Sequence, residues 1–219
     1  MSFYTINSLT FSYAGTDKLL QNISFDIEAN QHIGLVGPNG CGKTTLVKLM
    51  LGILRPQGGE IYLEGNNIKN ISLSDVGRKV GYVFQNPDKQ LFCPTVLEQM
   101  RFSFTYGSRD PGEVMNDNTD YYLKVFDLMQ YKSLSPMKLS RGEKQRLALA
   151  SVLSRDVKFL ILDEPSTGLD ILRKKQLENC LMALKREGKG YMIISHEAKF
   201  LDRYVDQLLK LHAEGVEYA

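Results

Sequence analysis

The chain has 219 residues, of which 43% are hydrophobic and 24% are charged, and this composition is typical of one globular domain with a buried core. Its 27 basic and 25 acidic residues give a formal net charge of +2, which provides no electrostatic argument for or against a nucleic acid ligand. Three widely spaced cysteines match no metal or disulfide framework, so we expect a reduced cytosolic setting. No apolar run approaches the ~18 residues of a membrane-spanning helix, and any membrane role therefore needs a partner.

The hydrophobic pattern predicts an α/β chain that is interrupted by a helical stretch. Short apolar runs and alternating residues predict strands at 3–13, 23–27, 32–37, 58–68 (a hairpin), 80–84, 159–162, 191–195 and 208–211. Apolar residues at helical spacing predict helices at 43–51, 95–106, 119–129, 139–153 and 171–186. Between two of these helices, the polar sequence SRDPGEVMNDN at 108–118 indicates a surface loop.

Residues 37–44, GPNGCGKT, fit the pattern G-x-x-x-x-G-K-[ST] of a glycine-rich phosphate-binding loop. In such a loop the backbone N–H groups surround the phosphates, the lysine reaches the terminal phosphates and the hydroxyl binds Mg²⁺. The strand predicted before it and the helix predicted after it complete an anion site at a helix N-terminus. The candidate nucleotide-binding residues are those of the pattern and Thr45, which follows it directly: Gly37, Pro38, Asn39, Gly40, Cys41, Gly42, Lys43, Thr44 and Thr45.

Together these elements predict a P-loop NTPase core, which is an α/β fold built on a mostly parallel sheet. An N-terminal antiparallel β subdomain and an inserted helical subdomain complete the predicted architecture. We expect one domain over residues 1–219. Its nucleotide-binding core comprises residues 1–85 and 157–219, and its helical subdomain comprises residues 86–156.

The sequence KFLILDEP at 158–165 is a short apolar strand that ends in two carboxylates, Asp163 and Glu164. The carboxyl end of a parallel strand lies at the edge of the sheet where ligands bind, so we expect Asp163 to hold Mg²⁺ through water. Glu164 points differently and is our candidate for polarising the attacking water, which is a general-base role. An acidic turn between strand and loop, without a catalytic role, is the alternative.

The sequence LSRGEKQR at 139–146 predicts the start of a capped helix, because Ser140 and Glu143 fit the capping box S-x-x-E. With the Ser140 hydroxyl and the backbone of Gly142, this helix start is also a second anion site. One pocket cannot easily use two separate helix N-termini on one γ-phosphate. We therefore predict that two chains combine, so that each contributes one of the two anion sites to a shared pocket.

In order along the chain, the phosphate loop, Gln85, LSRGE, LILDEP, STGLD and ISHE resemble the motifs of the ATP-binding cassette (ABC) ATPases over nearly the whole length. In that family two nucleotide-binding domains pair head to tail. Each ATP is held by the phosphate loop of one chain and the signature helix of the other. The resemblance implies an ATP hydrolase that uses ATP and Mg²⁺ and works as a homodimer or a heterodimer.

The resemblance also implies roles for individual residues. Lys43 is implied to contact the β- and γ-phosphates, His196 the γ-phosphate, and Glu164 the attacking water. The implied catalytic residues are Lys43, Gln85, Glu164 and His196, and the implied metal-binding residues are Thr44, Gln85 and Asp163. The residues implied to reach the partner's ATP or the dimer interface are Ser140, Gly142, Glu143 and Asp170.

Three positions leave alternatives open. Tyr13 resembles the aromatic residue that stacks on adenine in this family, and packing at a strand edge is its competing role. His196 alone is more often a packed histidine, although its place after an apolar strand favours the phosphate contact. Arg141 replaces the first glycine of the usual LSGGQ signature and Glu143 replaces its glutamine, so that the arginine either aids or obstructs the anion.

Residues 85–92, QNPDKQLF, resemble the Gln-loop of the energy-coupling factor ATPases, which drive uptake of vitamins and of cobalt or nickel ions. The resemblance implies a peripheral protein at the cytoplasmic face of the membrane, bound to integral membrane subunits and not to nucleic acid. In this family the Gln-loop and the helical lobe form a groove for a helix of the membrane subunit. The residues that line it, unless they pack inside the lobe, are Leu91, Phe92, Met100 and Phe104.

Two other functions stay open at this stage. One is the ATPase of another ABC transporter branch, because the chain stops at Ala219 whereas many energy-coupling factor ATPases carry an additional C-terminal region. The other is a soluble ABC ATPase that acts on DNA or ribosomes. Those ATPases usually carry a long coiled coil or two cassettes, and neither fits in 219 residues.

Overall fold

The computed structural model describes residues 2–15, 19–105, 114–155, 157–196, 198–212 and 215–218, with residues 103–105, 114–118 and 198–199 described by their backbone alone. Its strands are β1 (Tyr4–Phe11), β2 (Leu20–Ile27), β3 (His32–Val36), β4 (Gly58–Leu63), β5 (Asn66–Asn67), β6 (Val80–Val83), β7 (Phe159–Asp163), β8 (Gly190–Ile194), β9 (Gln207–His212) and β10 (Gly215–Tyr218). Its α-helices are α1 (Lys43–Met50), α2 (Leu73–Lys79), α3 (Val96–Thr105), α4 (Val114–Val125), α5 (Arg141–Leu153), α6 (Ile171–Arg186) and α7 (Ala198–Tyr204). Short 3-10 helices lie at Ile68–Asn70, Pro87–Lys89, Met129–Tyr131 and Pro136–Lys138.

The first sheet is antiparallel and has the order β2-β1-β4-β5. One face of β2 is buried, because apolar side chains on a strand share a face when they alternate with polar ones. The buried residues of β2 are Leu20, Ile23, Phe25 and Ile27. The hairpin predicted at 58–68 is confirmed, and its turn is made by Glu64 and Gly65, whose φ values of 50° and 76° are those that a two-residue turn of this kind requires.

The second sheet has the order β10-β9-β3-β8-β7-β6 and is parallel except for the pairing of β9 with β10. Every residue of β7 and β8 is buried, as expected of parallel strands that are covered on both faces. Because these strands run the same way, the carboxyl ends of β3, β6, β7 and β8 meet at one edge of the sheet. The predicted α/β fold, with a mostly parallel sheet and an antiparallel N-terminal sheet, is confirmed.

Two groups of buried side chains form the core. The first group contains residues of both sheets and α1, and the second joins the parallel sheet to α3, α4, α5 and α6. Successive residues of β7 belong to the two groups in turn, since Phe159 and Ile161 lie in the first group and Leu160 and Leu162 in the second. No helix in the described part of the chain combines the length and the apolar character that crossing a bilayer requires.

The burial of the apolar residues in and before α3 shows which of them pack inside the helical lobe and which are available to line a groove. Leu91 and Met100 are buried in the second group, so packing inside the lobe is the correct role for both. Phe92, in contrast, is 61% exposed and its ring contacts Phe102 edge-on. The side chain of Phe104 lies outside the described residues.

Two predicted boundaries in this helical part are wrong. Residues 114–118, predicted as loop, belong to α4, and the helix ends at Val125 rather than at residue 129. It ends early because Asp127 adopts a left-handed conformation, with φ 54°, and the Leu128 N–H donates to the Leu123 carbonyl at 2.8 Å. Residues 106–113, which hold Tyr106 and the rest of the predicted loop, lie outside the described residues.

The sequence patterns did not predict the helices α2 and α7 or the strand β10. The start of α2 has a recognisable cap, because the Ser72 hydroxyl accepts a hydrogen bond from the Asp75 N–H at 3.1 Å. The strand β10 extends the parallel sheet by one antiparallel strand. The division of the chain at residues 85 and 157 stays a prediction.

Candidate nucleotide-binding and catalytic site

The phosphate loop connects the end of β3 to the start of α1. Gly40 and Gly42 have φ values of 79° and 101°, a left-handed conformation that glycine adopts without strain. Lys43 is the first residue of α1, and its Nζ donates hydrogen bonds to the carbonyl oxygens of Gly37 (2.8 Å) and Pro38 (3.0 Å). The loop therefore curves around the lysine ammonium, so that a positive charge lies at the positive end of the helix dipole, a combination suited to phosphate.

Asp163 ends β7 beside this loop, and its side chain is buried. Its Oδ2 accepts hydrogen bonds from the hydroxyls of Thr44 (3.3 Å) and Tyr82 (3.1 Å). Burial raises the pKa of the Asp163 carboxyl, while the two hydrogen bonds and the charge of Lys43 act in the opposite direction. Burial, together with the charge of Asp163, also raises the pKa of Tyr82, so its hydroxyl stays protonated and remains a donor.

Glu164 has a φ of 50°, and this left-handed turn ends the alternation of the strand, so that both carboxylates line the same pocket. Its Oε2 accepts a hydrogen bond from Ser195 Oγ at 3.5 Å, and its Oε1 lies 3.4 Å from His196 Nε2. Burial raises the pKa of Glu164, His196 lowers it, and the charge of Asp163 raises it further. Oε1 accepts no hydrogen bond from any described residue and is thus a buried acceptor that suits a water molecule.

These side chains meet in one open pocket of about 370 Å³ at the carboxyl edge of the parallel sheet. We call it the phosphate-loop pocket. Its lining residues are Tyr13, Leu19, Asn39, Gly40, Gly42, Lys43, Thr44, Thr45, Gln85, Asp163, Glu164, Ile194 and His196. Residues predicted from motifs that lie far apart in the sequence are therefore neighbours in the structure, as a binding site requires.

Tyr13 lies on the wall of this pocket beside α1. Its ring contacts Phe11 edge-on, with 5.0 Å between ring centroids, and its hydroxyl lies 3.1 Å from Thr45 Oγ1. The side chain is nevertheless 43% exposed. Edge packing is thus one role of Tyr13, and stacking of its exposed surface on a base stays a prediction.

Three residues of the predicted loop do not line the pocket. Gly37 and Pro38 contribute the carbonyl oxygens that bind Lys43. Cys41 packs against the first buried group, and its N–H donates to the Pro38 carbonyl at 3.3 Å. This geometry gives no support to a contact between the Cys41 thiol and a nucleotide.

Ser140 and Glu143 form the predicted capping box at the start of α5. The Ser140 N–H donates to Glu143 Oε2 at 2.7 Å, and the Glu143 N–H donates to Ser140 Oγ at 3.4 Å. Hydrogen bonds from Tyr131 and Ser140 lower the pKa of Glu143. Asp170 caps α6 in a similar way, because its Oδ1 accepts from the Arg173 N–H at 2.8 Å. Capping therefore accounts for the local conformation of both segments.

The four residues predicted to act on a partner's ATP, which are Ser140, Gly142, Glu143 and Asp170, do not line the phosphate-loop pocket of their own chain as the structure describes it. Arg141 at the start of α5 borders a different cleft, of about 440 Å³, together with Lys144 and Thr167. Gln85 lines both cavities. Within one chain the two predicted anion sites are therefore separate.

A third cavity is apolar and is formed along α2, β6 and parts of α3 and α5. We call it the apolar groove, and its volume is about 420 Å³. Its lining residues are Leu51, Ile53, Leu73, Ser74, Val76, Gly77, Val80, Tyr82, Phe84, Gln90, Phe92, Gln99, Phe102, Ser151, Val152 and Arg155. Several of these apolar side chains are exposed, among them Leu73 and Phe92 at 61% each.

Two glutamines, to which the sequence analysis gave no role, fix the segment that follows Gln85. The Gln90 side chain accepts from the Phe84 N–H at 3.2 Å and donates to the Ala148 carbonyl of α5 at 3.2 Å. The Gln99 side chain of α3 accepts a hydrogen bond from the Phe92 N–H at 2.9 Å. A carboxamide both donates and accepts, so each of these glutamines ties the loop to a helix.

The three predicted metal-binding residues share the phosphate-loop pocket, and all of them offer oxygen donors. The Thr44 hydroxyl and the Asp163 carboxylate are 3.3 Å apart, and Gln85 lines the same pocket. Mg²⁺ prefers oxygen ligands and is commonly held by one or two protein groups together with phosphates and water. The described residues contain no group of three or more His, Cys, Asp or Glu side chains that could hold a metal by itself. The residues present therefore fit Mg²⁺ that binds together with a nucleotide.

Similarity to known proteins identifies the family. The ABC transporter family matches residues 20–167, a range that includes the phosphate loop, the start of α5 and both carboxylates of the pocket. The chain belongs to the ABC transporter family. It is an ATP hydrolase of the ATP-binding cassette type, which confirms the activity predicted from the motifs.

Relatives of this ABC ATPase include transporter subunits. EcfA1 of Thermotoga maritima, an energy-coupling factor transporter ATP-binding protein, is 40% identical over 198 residues, which are 90% of this chain and 74% of that protein. A Pyrococcus furiosus protein with the provisional name ABC transporter ATP-binding protein is 37% identical over 216 residues, 97% of this chain and 81% of that protein. The structure of cbiO1 from Clostridium perfringens, part of the ABC transporter complex cbiONQ, is 28% identical, with a TM-score of 0.81 over 99% of this chain and 87% of that chain.

The structure adds two residues to the site of this ABC ATPase, Tyr82, which belongs to no motif, and Ser195, to which the motif ISHE assigned no role. Tyr82 reaches Asp163 because the pairing of β6 with β7 places it beside Ile161. Ser195 reaches Glu164 because β8 lies next to β7. Only the strand order and register reveal these two contacts, since the partners are distant in sequence.

Proposed function

We propose that this ABC ATPase is the ATP-hydrolysing subunit of an importer of the energy-coupling factor type, which takes up a vitamin or a metal ion through integral membrane subunits. The convergence of Lys43, Asp163, Glu164 and His196 on one pocket carries the assignment of these residues. The importer type is supported by the 40% identity with EcfA1 of Thermotoga maritima and by the likeness to cbiO1. In this proposal the chain is a peripheral protein on the cytoplasmic face of the membrane.

The phosphate loop binds ATP in this proposal. The Lys43 ammonium, held between two carbonyl oxygens, contacts the β- and γ-phosphates. The N–H groups of the loop residues that line the pocket, among them Asn39, Gly40 and Gly42, and the N-terminus of α1 neutralise the remaining phosphate charge. Tyr13 stacks on the adenine, a contact that contributes about 1–3 kcal/mol per base when an aromatic side chain provides it.

Thr44, Gln85 and Asp163 would hold Mg²⁺ that binds together with ATP. When bound there, the metal ion neutralises charge that develops during phosphoryl transfer. Asp163 is suited to this role because burial favours a cation beside its carboxylate, and because two hydroxyls fix its Oδ2.

Glu164 is the general base. Its buried Oε1 accepts a hydrogen bond from the attacking water, and burial makes this carboxylate a stronger base than an exposed one. As the water oxygen bonds to the γ-phosphorus, its proton passes to Glu164 and the bond to the bridging oxygen of ADP breaks. His196, 3.4 Å from Glu164, contacts the γ-phosphate and lies close enough to stabilise the charged base.

A second chain completes each catalytic site. Because the start of α5 lies outside the phosphate-loop pocket of its own chain, Ser140 and Gly142 reach the ATP of a partner that docks head to tail. The capping box with Glu143 fixes the Ser140 hydroxyl for this contact. Asp170, which fixes the start of α6, lies at the interface and couples the two sites. The partner is a second copy of the chain or a related ATPase.

The apolar groove binds a helix of the membrane subunit. It exposes large apolar side chains, and covering Leu73 and Phe92 with an apolar helix face stabilises the complex by about 25 cal/mol for each Å² removed from water. Gln90 and Gln99 tie the loop after Gln85 to α5 and α3. A helix that moves in the groove therefore moves Gln85 relative to the phosphate-loop pocket.

Ser140→Arg in a Glu164→Gln background tests the shared site. Arginine fills the space at the start of α5, while the phosphate-loop pocket of the same chain is unaltered. We expect the double variant to bind ATP as well as Glu164→Gln does, but to elute as a monomer from gel filtration with ATP and Mg²⁺. Glu164→Gln alone, which holds ATP for longer, should elute as a dimer.

Ser72→Arg in the same background is the matched control. Ser72 caps α2 as Ser140 caps α5, so the loss of a cap, about 1 kcal/mol, is the same in both variants. The control should still form a dimer. If Ser140→Arg abolishes ATP binding by the monomer, Ser140 serves its own pocket and the shared site is refuted. Recovery of the protein from native membranes with nucleic acid, and without an integral membrane protein, would refute the transport function.

A further inference from the structure

Tyr82 connects the phosphate-loop pocket with the apolar groove. Its hydroxyl donates to Asp163 Oδ2 at 3.1 Å, and its side chain lines the groove. Its ring also contacts Phe84, with 4.5 Å between ring centroids and 54° between ring planes. Phe84 lines the same groove and immediately precedes Gln85. One side chain therefore contacts both the metal-binding carboxylate and the packing around the groove.

The hydrogen bond from the Tyr82 hydroxyl holds the Asp163 carboxylate. Asp163 Oδ2 accepts from two hydroxyls, of which Thr44 is itself a proposed metal-binding group. Tyr82 is thus the donor that would remain on Oδ2 if the Thr44 hydroxyl were engaged by Mg²⁺. Outer partners of this kind fix the orientation of metal-binding carboxylates and increase metal affinity.

We propose that Tyr82 is a positioning residue for Asp163, and that its ring makes the placement of this carboxylate depend on packing in the apolar groove. The inference rests on the proposed function, in which Asp163 holds Mg²⁺ and the groove holds a helix of the membrane subunit. A helix that fills the groove contacts Phe84, and Phe84 in turn contacts the Tyr82 ring, so the packing around that ring changes. The hydroxyl then transmits this change to the carboxylate. The affinity of the chain for Mg²⁺ in the presence of ATP changes as a result.

Tyr82→Phe removes only the hydroxyl. The measurement is the affinity of the purified full chain for ATP that carries a fluorescent group on its ribose, in EDTA and over a series of Mg²⁺ concentrations. We expect an unchanged affinity in EDTA. The Mg²⁺ concentration at which half of the gain in affinity is reached should rise by about tenfold, a typical effect of losing an outer partner of a metal ligand.

Tyr191→Phe is the matched control, because its buried hydroxyl donates to the Tyr204 carbonyl and not to a residue of the pocket. It should leave the Mg²⁺ titration unchanged. In an Asp163→Asn background, Tyr82→Phe should cause no further shift, since Tyr82 acts through Asp163. An unchanged titration in Tyr82→Phe, or an equal shift in both backgrounds, overturns the positioning role. Tyr82→Met also lacks the hydroxyl and replaces the first variant if thermal unfolding shows that phenylalanine is not tolerated.

Phe84→Ala tests the connection to the groove. It removes the ring that contacts Tyr82 but leaves the hydroxyl in place, so we expect a shift of the Mg²⁺ titration that is smaller than in Tyr82→Phe. A titration like that of the wild type would overturn the connection. Failure of the proposed function has a different signature, because the chain would then be recovered from native membranes without an integral membrane protein, whatever the Mg²⁺ titrations show.

Discussion

Glu164→Gln is expected to separate ATP binding from hydrolysis. Glutamine has nearly the same shape as glutamate and fits the buried position beside Ser195 and His196, but it cannot take a proton from water. Loss of a general base lowers kcat by about 10²–10⁴. This factor corresponds to roughly 3–5 kcal/mol of transition-state free energy. ATP affinity should be retained, because Lys43 and the phosphate loop are unchanged.

The assay is steady-state phosphate release over a range of pH, with ATP affinity measured separately by equilibrium titration. Burial raises the pKa of Glu164 above its ordinary value of 4.5, so the base of the wild type is protonated and kcat falls as the pH drops through this raised pKa. Glu164→Gln should lack that acid limb. Hydrolysis at the wild-type rate, or an acid limb that persists in the variant, would refute the role of Glu164 as the base.

The same pKa shift predicts the effect of the substitution on stability. A raised pKa means that the folded chain holds the Glu164 proton more tightly than the unfolded chain does. The stability that this proton contributes is fully present below pH 4.5 and is lost as the pH rises through the raised pKa of the folded state. Glu164→Gln should therefore raise the midpoint of thermal unfolding at pH 7, and this gain should disappear below pH 4.5.

Substitutions at three further positions test other parts of the molecule. Lys43→Ala should weaken ATP binding by about 100-fold, since charged hydrogen bonds to phosphate are lost, and calorimetric titration measures this loss. Tyr13→Ala should lower ATP affinity by about tenfold while Tyr13→Phe keeps it, if the ring stacks on adenine. Gly190→Ala should lower the free energy of unfolding by about 2 kcal/mol, because a Cβ there would lie 2.3 Å from the Ala29 carbonyl oxygen and 2.8 Å from that of Gln31. Thermal unfolding checks this last value, and an unchanged midpoint would contradict it.

The phosphate loop could be predicted from the sequence because all its parts are close together in the chain. Strand β3, the loop and α1 follow one another, and the spacing of the glycines fixes the position of Lys43 relative to the backbone. The capping box of Ser140 and Glu143 is local for the same reason. A similar local signal is present at Ser72 and Asp75, where a serine cap begins α2.

Contacts that depend on the arrangement of strands could not be predicted in this way. Tyr82 and Asp163 meet only because β6 pairs with β7 in a register that no local pattern specifies. The start of α4 at Val114 lies in a polar stretch whose composition favours a loop. Tertiary packing stabilises the helix instead, since Leu123 near its end and Phe126 just beyond it are fully buried in the second group.

The backbone at residue 164 restricts this position independently of its chemistry. A φ of 50° is costly for any side chain that branches at Cβ, whereas glycine and asparagine tolerate it. If every amino acid were placed at this position, the variants would therefore differ first in whether they fold, and only the folded ones could be compared for activity. Asparagine would give a well-folded chain without a general base. Valine would distort the end of β7 before any nucleotide was bound.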